Sequence, residues 1–300
     1  MDDDCCVDGI VSQFFLDTCQ RRFRVNEIEI SALFDCACVT NPHLTDDVEF
    51  IVTPLTTGSV AEFYIDPILS CIGDTDVMFY PSDQLAIPVG HSPPTQLPVA
   101  EFGIRVVVHE IIDSEFPGYV YLRSSYLLEK STVNGKYVVR NCRPKHSYVT
   151  YDPGDRRDDI HGPAYVLQFE LLPDMTNRYF AKRDSSMDRV YCVRCLLWPS
   201  QAADWPTRQR NNGWPDSATI DGVVSNGCDV VHVAHRLCRD DEWEAKYQWR
   251  LSFSRAEIVL LNSWTQVQQI MYHMLRVFLK SGATVETNDS GAKTLSNYNI

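Results

Sequence analysis

Asp74 and Asp76, in Gly73-Asp74-Thr75-Asp76-Val77-Met78-Phe79, are the residues of this sequence best placed to do chemistry. A two-residue spacing on a strand turns both carboxylates to one face, where together they could hold a divalent cation. Taken alone the pair is a weak signal. The chain has 27 aspartates, chance placement gives roughly two or three such spacings, and a solvated strand entrance explains the pair equally well. Gly58-Ser59 lies upstream, after a segment that itself reads as a strand. A glycine lets backbone N–H groups close on a phosphate, and a serine adds a hydroxyl donor at the start of a following helix. Two-metal phosphoryl transfer also needs a third acid, to share an ion and to orient or deprotonate the attacking hydroxyl. Asp188, heading Asp188-Arg189-Val190-Tyr191-Cys192-Val193, is the candidate.

Such residues need a sheet to stand on. Segments rich in Val, Tyr, Phe and Ile predict strands over Val48 to Val52, Thr75 to Tyr80, Ile104 to Ile112, Tyr119 to Tyr126, Lys136 to Arg140, Ala164 to Leu171 and Asp188 to Leu197. Thr56-Thr57-Gly58-Ser59 reads as a tight turn. Apolar residues Ile10, Val11, Phe14, Phe15, Val25, Ile28 and Leu33 recur at helical spacing behind a capping Asp8, predicting one long helix to about Phe34. The Pro-rich stretch from Pro88 to Pro98 and the acidic run from Asp152 to Asp159 read as spacer loops. Trp198-Pro199, Trp205-Pro206 and Trp214-Pro215 are expected to wedge between two lobes. Ser254 to Lys280 contains neither Pro nor Gly, and Ile258, Leu261, Trp264, Val267, Ile270, Met271, Met274 and Leu275 give it a broad apolar face, predicting a helix that Gly282 stops.

Composition bounds the function classes. A chain of 300 residues, 44% hydrophobic and 22% charged, buries enough surface to fold without disulfides or a structural metal. No apolar run reaches the roughly 20 residues that cross a bilayer, and the start Met1-Asp2-Asp3-Asp4 is acidic where a signal peptide is basic. Eleven cysteines, an odd number, fit reduced thiols in the cytosol. A cytoplasmic location follows from these features. The formal charge of −13 argues against a surface given over to nucleic acid, while leaving room for a local basic patch.

The order strand, Gly-Ser turn, helix, acidic strand resembles the polymerase-beta type of nucleotidyltransferase. With Asp188 leading to Trp198-Pro199, and Trp249-Arg250-Leu251-Ser252-Phe253-Ser254, nearly the whole chain is similar to cyclic GMP-AMP synthase and its Mab-21-like relatives. His161-Gly162-Pro163-Ala164, the Trp-Pro pairs and Asn226-Gly227-Cys228 resemble the Mab-21 and cyclic GMP-AMP synthase-like receptor branch more than the vertebrate DNA sensor. The resemblance implies an α+β, bilobal fold, with a mixed central sheet and a long N-terminal helix over residues 1–215 and the start of a helical C-terminal lobe over 216–300. It implies that Asp74, Asp76 and Asp188 bind Mg²⁺ or Mn²⁺ and that Thr57, Gly58 and Ser59 bind a triphosphate. Arg250, Ser252, Ser254 and Glu257 match residues that contact base and phosphates, and Tyr298 a tyrosine that stacks on a base. The implied activity is synthesis of a cyclic dinucleotide from ATP and GTP in innate immune sensing.

Two departures narrow this. The family's His-Cys-Cys-Cys zinc insertion is missing after Ser254, so a DNA-clamping zinc thumb is not expected. The family continues for several helices past Ser296-Asn297-Tyr298, so a chain ending at Ile300 is expected to be a fragment with exposed apolar surface. A phosphate-binding lysine of the family has only His273, Arg276 and Lys280 near its position. Cys192 and Cys195, and the crowded Cys228, His232, His235 and Cys238, could in principle bind zinc. Cys-x-x-Cys on a buried strand points its thiols to opposite faces, however, and core thiols are the expectation. Arg21, Arg22 and Arg24 form a candidate patch for a double-stranded RNA or DNA activator, with Arg208 and Arg210 flanking the Trp-Pro segment; an ordinary solvated helix face is the alternative. Against the enzyme stands a Mab-21-type scaffold or binding protein in development that keeps the fold without turnover. Retention of all three aspartates favours the enzyme. A template-independent RNA polymerase would carry a more basic surface.

Overall fold

β-Branched and aromatic runs dominate the chain between Val52 and Ser252, and most of them pair into a sheet. The computed structural model describes residues 20–21, 52–57, 65–66, 75–141, 147–150, 160–161, 164–170, 184–210, 212–239, 242–265, 267–272 and 275. Strands occupy Gln20–Arg21 (β1), Val52–Thr57 (β2), Ile65–Asp66 (β3), Thr75–Pro81 (β4), Gln84–Pro88 (β5), Arg105–Asp113 (β6) and Tyr119–Lys130 (β7). Tyr137–Asn141 (β8), Ile160–His161 (β9), Ala164–Glu170 (β10) and Asp184–Cys195 (β11) follow. Helix Ser217–Ser225 (α1), strand Cys228–His232 (β12), helix Trp243–Tyr247 (α2), strand Gln248–Ser252 (β13) and helix Ser254–Asn262 (α3) complete the order. This is a mixed α+β domain with helices towards its C-terminal end.

Among the described residues eleven strands form one mixed sheet. Its right half closes on itself. β5 pairs β6, β6 pairs β7, β7 pairs β13, β13 pairs β12, β12 pairs β11, and Cys195 at the end of β11 pairs with Ala86 of β5. Each of the six strands sends side chains into the ring: Ala86, Ile111, Leu122, Val193, Val230 and Trp249 belong to one buried cluster. A small closed sheet has room inside only for side chains, so this interior is packed core and not a channel. Trp249 is fully buried and satisfies its indole N–H on the Val149 carbonyl, 2.9 Å away. The N-terminal half of β11 leaves the ring and joins an open sheet, pairing in parallel with β4 on one side and antiparallel with β10 on the other. β2 pairs with β4 beyond it.

The Pro-rich stretch is more than a spacer. Leu97 and Phe102 are buried in a second cluster with Leu85, Ile87, Val106 and Leu128, covering the outer face of β5, β6 and β7, and Tyr137 N–H donates to the Thr95 carbonyl at 2.9 Å. The Trp-Pro pairs brace α3 at both ends. Trp198 packs on Trp205 and on Phe253, with ring centroids 5.5 and 5.3 Å apart. Trp214 packs on Trp264, and its indole donates to Ser263 Oγ at 2.9 Å. α1 is capped by Asp216, whose side chain accepts from Thr219 N–H at 2.8 Å.

Four expectations need correction. The helix predicted from Asp8 to Phe34 lies outside the described residues except at Gln20–Arg21, and there the chain is a short strand paired with Ile65–Asp66. Thr56 and Thr57 belong to strand β2 and not to a turn. The helix expected to run unbroken from Ser254 ends at Asn262. Thr265 N–H donates to Gln268 Oε1 at 2.9 Å and Gln268 N–H to Thr265 Oγ1 at 3.4 Å, a reciprocal box that starts a new helical segment at residue 267. Within that segment Ile270 is buried while Val267, Met271 and Leu275 are exposed. Two strands, β12 and β13, also come from the range expected to open a helical lobe, and both are hydrogen-bonded into the ring.

One buried group of the ring carries a pH dependence. His109 on β6 is 3% exposed, its Nδ1 lies 3.1 Å from Ser124 Oγ, and its Nε2 has no protein partner. Burial lowers its pKa from 6.5 to about 4. Between these values the unfolded chain binds a proton that the folded one refuses, so stability falls as pH falls. Going from about pH 7 to about pH 5 should cost roughly 2 kcal/mol through this group. Urea midpoints for the parent and for His109→Gln check this: the parent should lose more stability over the interval, and equal losses would contradict it.

Candidate active site

β4 is buried through Val77, Met78 and Tyr80, and this apolar run fixes it between β2 and β11. Its second residue, Asp76, is register partner to Thr57 on β2 and to Asp188 on β11. Val166 of β10 continues the row beyond Asp188. Side chains at register positions of adjacent strands share a face, and neighbouring strands lie about 4.8 Å apart. Two carboxylates separated by 112 positions in sequence are thereby brought side by side. Both are half-buried, and both take part in further polar interactions. Thr57 is buried, and its hydroxyl donates to the Asp76 carbonyl at 3.4 Å.

The row below is apolar. Met78, Tyr80, Cys192 and Val231 form a cluster on which Leu55 and Val190 pack, so the acids stand at one border of a dry patch. The end of β13 reaches this patch from the other side. Ser252 donates from Oγ to Met78 Sδ at 3.8 Å and lies 3.1 Å from Ser254 Oγ. Arg250, two residues earlier, shares that face and is half-buried, and Glu257 is exposed on α3. The described members of the expected site therefore collect along one face of the sheet: Thr57, Asp76 and Asp188 in a single row, with Arg250, Ser252 and Ser254 at the end of β13 and the start of α3. Asp74, Gly58, Ser59, Tyr298, Arg22 and Arg24 lie outside the described residues, as do His273, Arg276 and Lys280. Arg21 is in β1.

Carboxylate oxygens are the hard donors that Mg²⁺ and Mn²⁺ prefer, and two of them in register oppose each other unless a cation intervenes. The pair is thus chemically suited to such an ion. Among the described residues no three His, Cys, Asp or Glu side chains gather at metal-binding distance. The sulfur and imidazole residues noted in sequence go to separate places: Cys192 to the Met78 cluster, Cys195 and Cys228 to the ring interior, His235 onto the Phe116 ring at 3.9 Å, and His232 against Trp249.

A buried ionic cluster that sequence reasoning had not singled out links these elements. Asp229, register partner of Ser252, is fully buried. Arg255 Nε donates to its Oδ2 at 2.8 Å, and Arg194 Nη1 lies 4.0 Å from its Oδ1. Arg194 also donates to the carbonyls of Cys195 at 2.9 Å, Cys228 at 2.8 Å and Asn226. Burial disfavours the charge on Arg255, but Asp229 outweighs it and raises the guanidinium pKa. The only advance sign was a charged residue set among apolar ones in each of the strands β11 and β12.

Comparison with known protein families matches residues 106–263 to the Mab-21 protein nucleotidyltransferase domain, more than half of the chain. The match runs from β6 to the first residue beyond α3 and includes Asp188, Arg250, Ser252, Ser254 and Glu257, while Thr57 and Asp76 precede it.

Proposed function

Because the chain belongs to the Mab-21 nucleotidyltransferase family, we propose that it is a metal-dependent nucleotidyltransferase that joins ATP and GTP into a cyclic dinucleotide. The register pairing of Asp76 with Asp188 carries this reading. Asp76, with Asp74, would present carboxylate oxygens to Mg²⁺ or Mn²⁺, and Asp188 would share in holding an ion and help to deprotonate the attacking ribose hydroxyl. Divalent ions, when bound, neutralise the triphosphate and the departing pyrophosphate. Thr57, Gly58 and Ser59 hold the phosphates. Arg250, Ser252, Ser254 and Glu257 address base and phosphates, and Tyr298 stacks on a base. Attack falls on the α-phosphorus, and the dry patch around Met78 strengthens each charged contact beside it. No zinc is required by this scheme. The reaction would serve cytoplasmic innate immune signalling, with double-stranded RNA or DNA as activator through Arg21, Arg22 and Arg24.

No helix among the described residues is long and apolar enough to cross a membrane. The deciding experiment incubates the full chain with all four labelled ribonucleoside triphosphates and Mg²⁺ or Mn²⁺, with and without double-stranded RNA or DNA. A phosphatase-resistant dinucleotide is expected. Folded protein that releases no pyrophosphate in any arm would replace the enzyme by a binding scaffold.

A further inference from the structure

Cys195, the last residue of β11, and Cys228, the first of β12, stand directly opposite each other in the antiparallel ladder. Partners in such a ladder have Cα atoms about 4.5–5.5 Å apart, within the range of roughly 4.4–6.8 Å that a disulfide spans. Both side chains are fully buried and point into the ring. Cys195 Sγ donates to the Leu197 carbonyl at 3.3 Å. We propose that Cys195 and Cys228 are an oxidative modification site, forming a cross-strand disulfide when the protein meets a hydroperoxide.

Two further observations hold the pair in bonding geometry. Arg194 donates to the carbonyls of both cysteines, at 2.9 and 2.8 Å, and so ties the two backbones together. Gly227, beside Cys228, has φ of +64° and lies so close to β11 that a side chain there would collide with the Cys195 carbonyl. The strand ends cannot move apart without losing the Arg194 hydrogen bonds. The nearby Cys228 thiol and the Arg194 charge hold the Cys195 thiol below its ordinary range, whereas the Cys195 sulfur and burial push Cys228 up. Attack by Cys195 with resolution by Cys228 is one order, and the reverse order gives the same disulfide.

The step balances with hydrogen peroxide as oxidant. Cys195 thiolate attacks one peroxide oxygen, the O–O bond breaks, and the hydroxide released takes up the thiol proton as water, leaving a sulfenic acid. The Cys228 sulfur then attacks the Cys195 sulfur, the S–O bond breaks, and a second water leaves with the Cys228 proton. Two electrons pass from the two sulfurs to one peroxide. Cys192 faces the opposite side of β11, so it cannot take the place of Cys195 in the pair.

The test treats the full chain with hydrogen peroxide, blocks remaining thiols by alkylation under denaturing conditions, and maps the digest. A Cys195–Cys228 linked peptide is expected, absent from Cys195→Ser and from Cys228→Ser and retained in Cys238→Ser. Burial should make its formation slower than oxidation of Cys238. The linked protein should melt higher than the reduced one, and dithiothreitol should reverse the shift. Cys195 and Cys228 that stay free and alkylatable after exposure continued long past complete oxidation of Cys238 would overturn the proposal, as would linkage to a different cysteine or a lowered melting temperature. Mapping the parent protein decides the matter even if a serine variant fails to fold. No part of the test depends on nucleotidyl transfer.

Discussion

Asp188→Asn and Asp76→Asn should each lower nucleotidyl transfer roughly a thousandfold or more, about 4 kcal/mol of transition-state stabilisation, while leaving the fold intact. The substitution keeps side-chain shape and removes one negative charge from a pair held in register on β4 and β11. Neither residue belongs to a buried apolar cluster, so packing should survive. What is lost is the oxygen set that brings a cation, and with it the triphosphate, into line. Melting temperature supplies an independent readout. Mg²⁺ or Mn²⁺ with a triphosphate should raise it for the parent through binding to the folded state alone, and should raise it little for either variant. Full activity in the Asn variants would remove these acids from the mechanism.

The largest expected loss of stability is at Arg194. This side chain is 4% exposed, donates to three carbonyls and faces the fully buried Asp229. Arg194→Met would fill the space of the aliphatic stem but leave the carbonyls without a charged donor and Asp229 with Arg255 alone. Breaking a buried pair in this way costs about 3–5 kcal/mol, a large share of the stability of an ordinary domain. Adding Asp229→Asn should recover part of that loss, because the carboxylate left short of a partner is then neutral, and the double variant should fall short of the sum of the singles. Urea unfolding of the four proteins measures the coupling. Strict additivity would mean that Arg194 and Asp229 do not interact.

How much of this could be read in advance differs by element. Most strands were legible from composition, since runs such as Arg105-Val106-Val107-Val108 and Tyr119-Val120-Tyr121-Leu122 are hard to place elsewhere. β5 was not, because Leu85-Ala86-Ile87 is short and ends in proline. β12 and β13 were hidden inside a range that reads as increasingly helical, although Trp249 and Leu251 alternate with Arg250 and Ser252 as a half-buried strand requires. The break after Asn262 carried a local sign, Thr265 followed by Gln268 three residues on, that an unbroken apolar stripe obscured. The acids themselves could be picked out by type and resemblance. Their register could not, because pairing of β4 with β11 depends on the sheet around them. The Arg194–Asp229–Arg255 cluster was illegible for the same reason: nothing local marks which buried charges will meet.

Closure of the ring has a consequence for the order in which the chain becomes safe from aggregation. β5, β6, β7 and β8 are near neighbours in sequence and can pair as they leave the ribosome, but the seam they leave open is filled only by β11, β12 and β13. The last of these begins 118 residues after β7 ends. At ordinary elongation rates that interval is roughly 6 to 24 s. During it the interior around Ile111, Val120 and Leu122 stays incomplete and part of the β7 edge stays unpaired, a state that invites pairing with other nascent chains. Chaperone occupancy during synthesis should accordingly peak between emergence of β7 and emergence of β13, and fall once Trp249 is available to plug the interior.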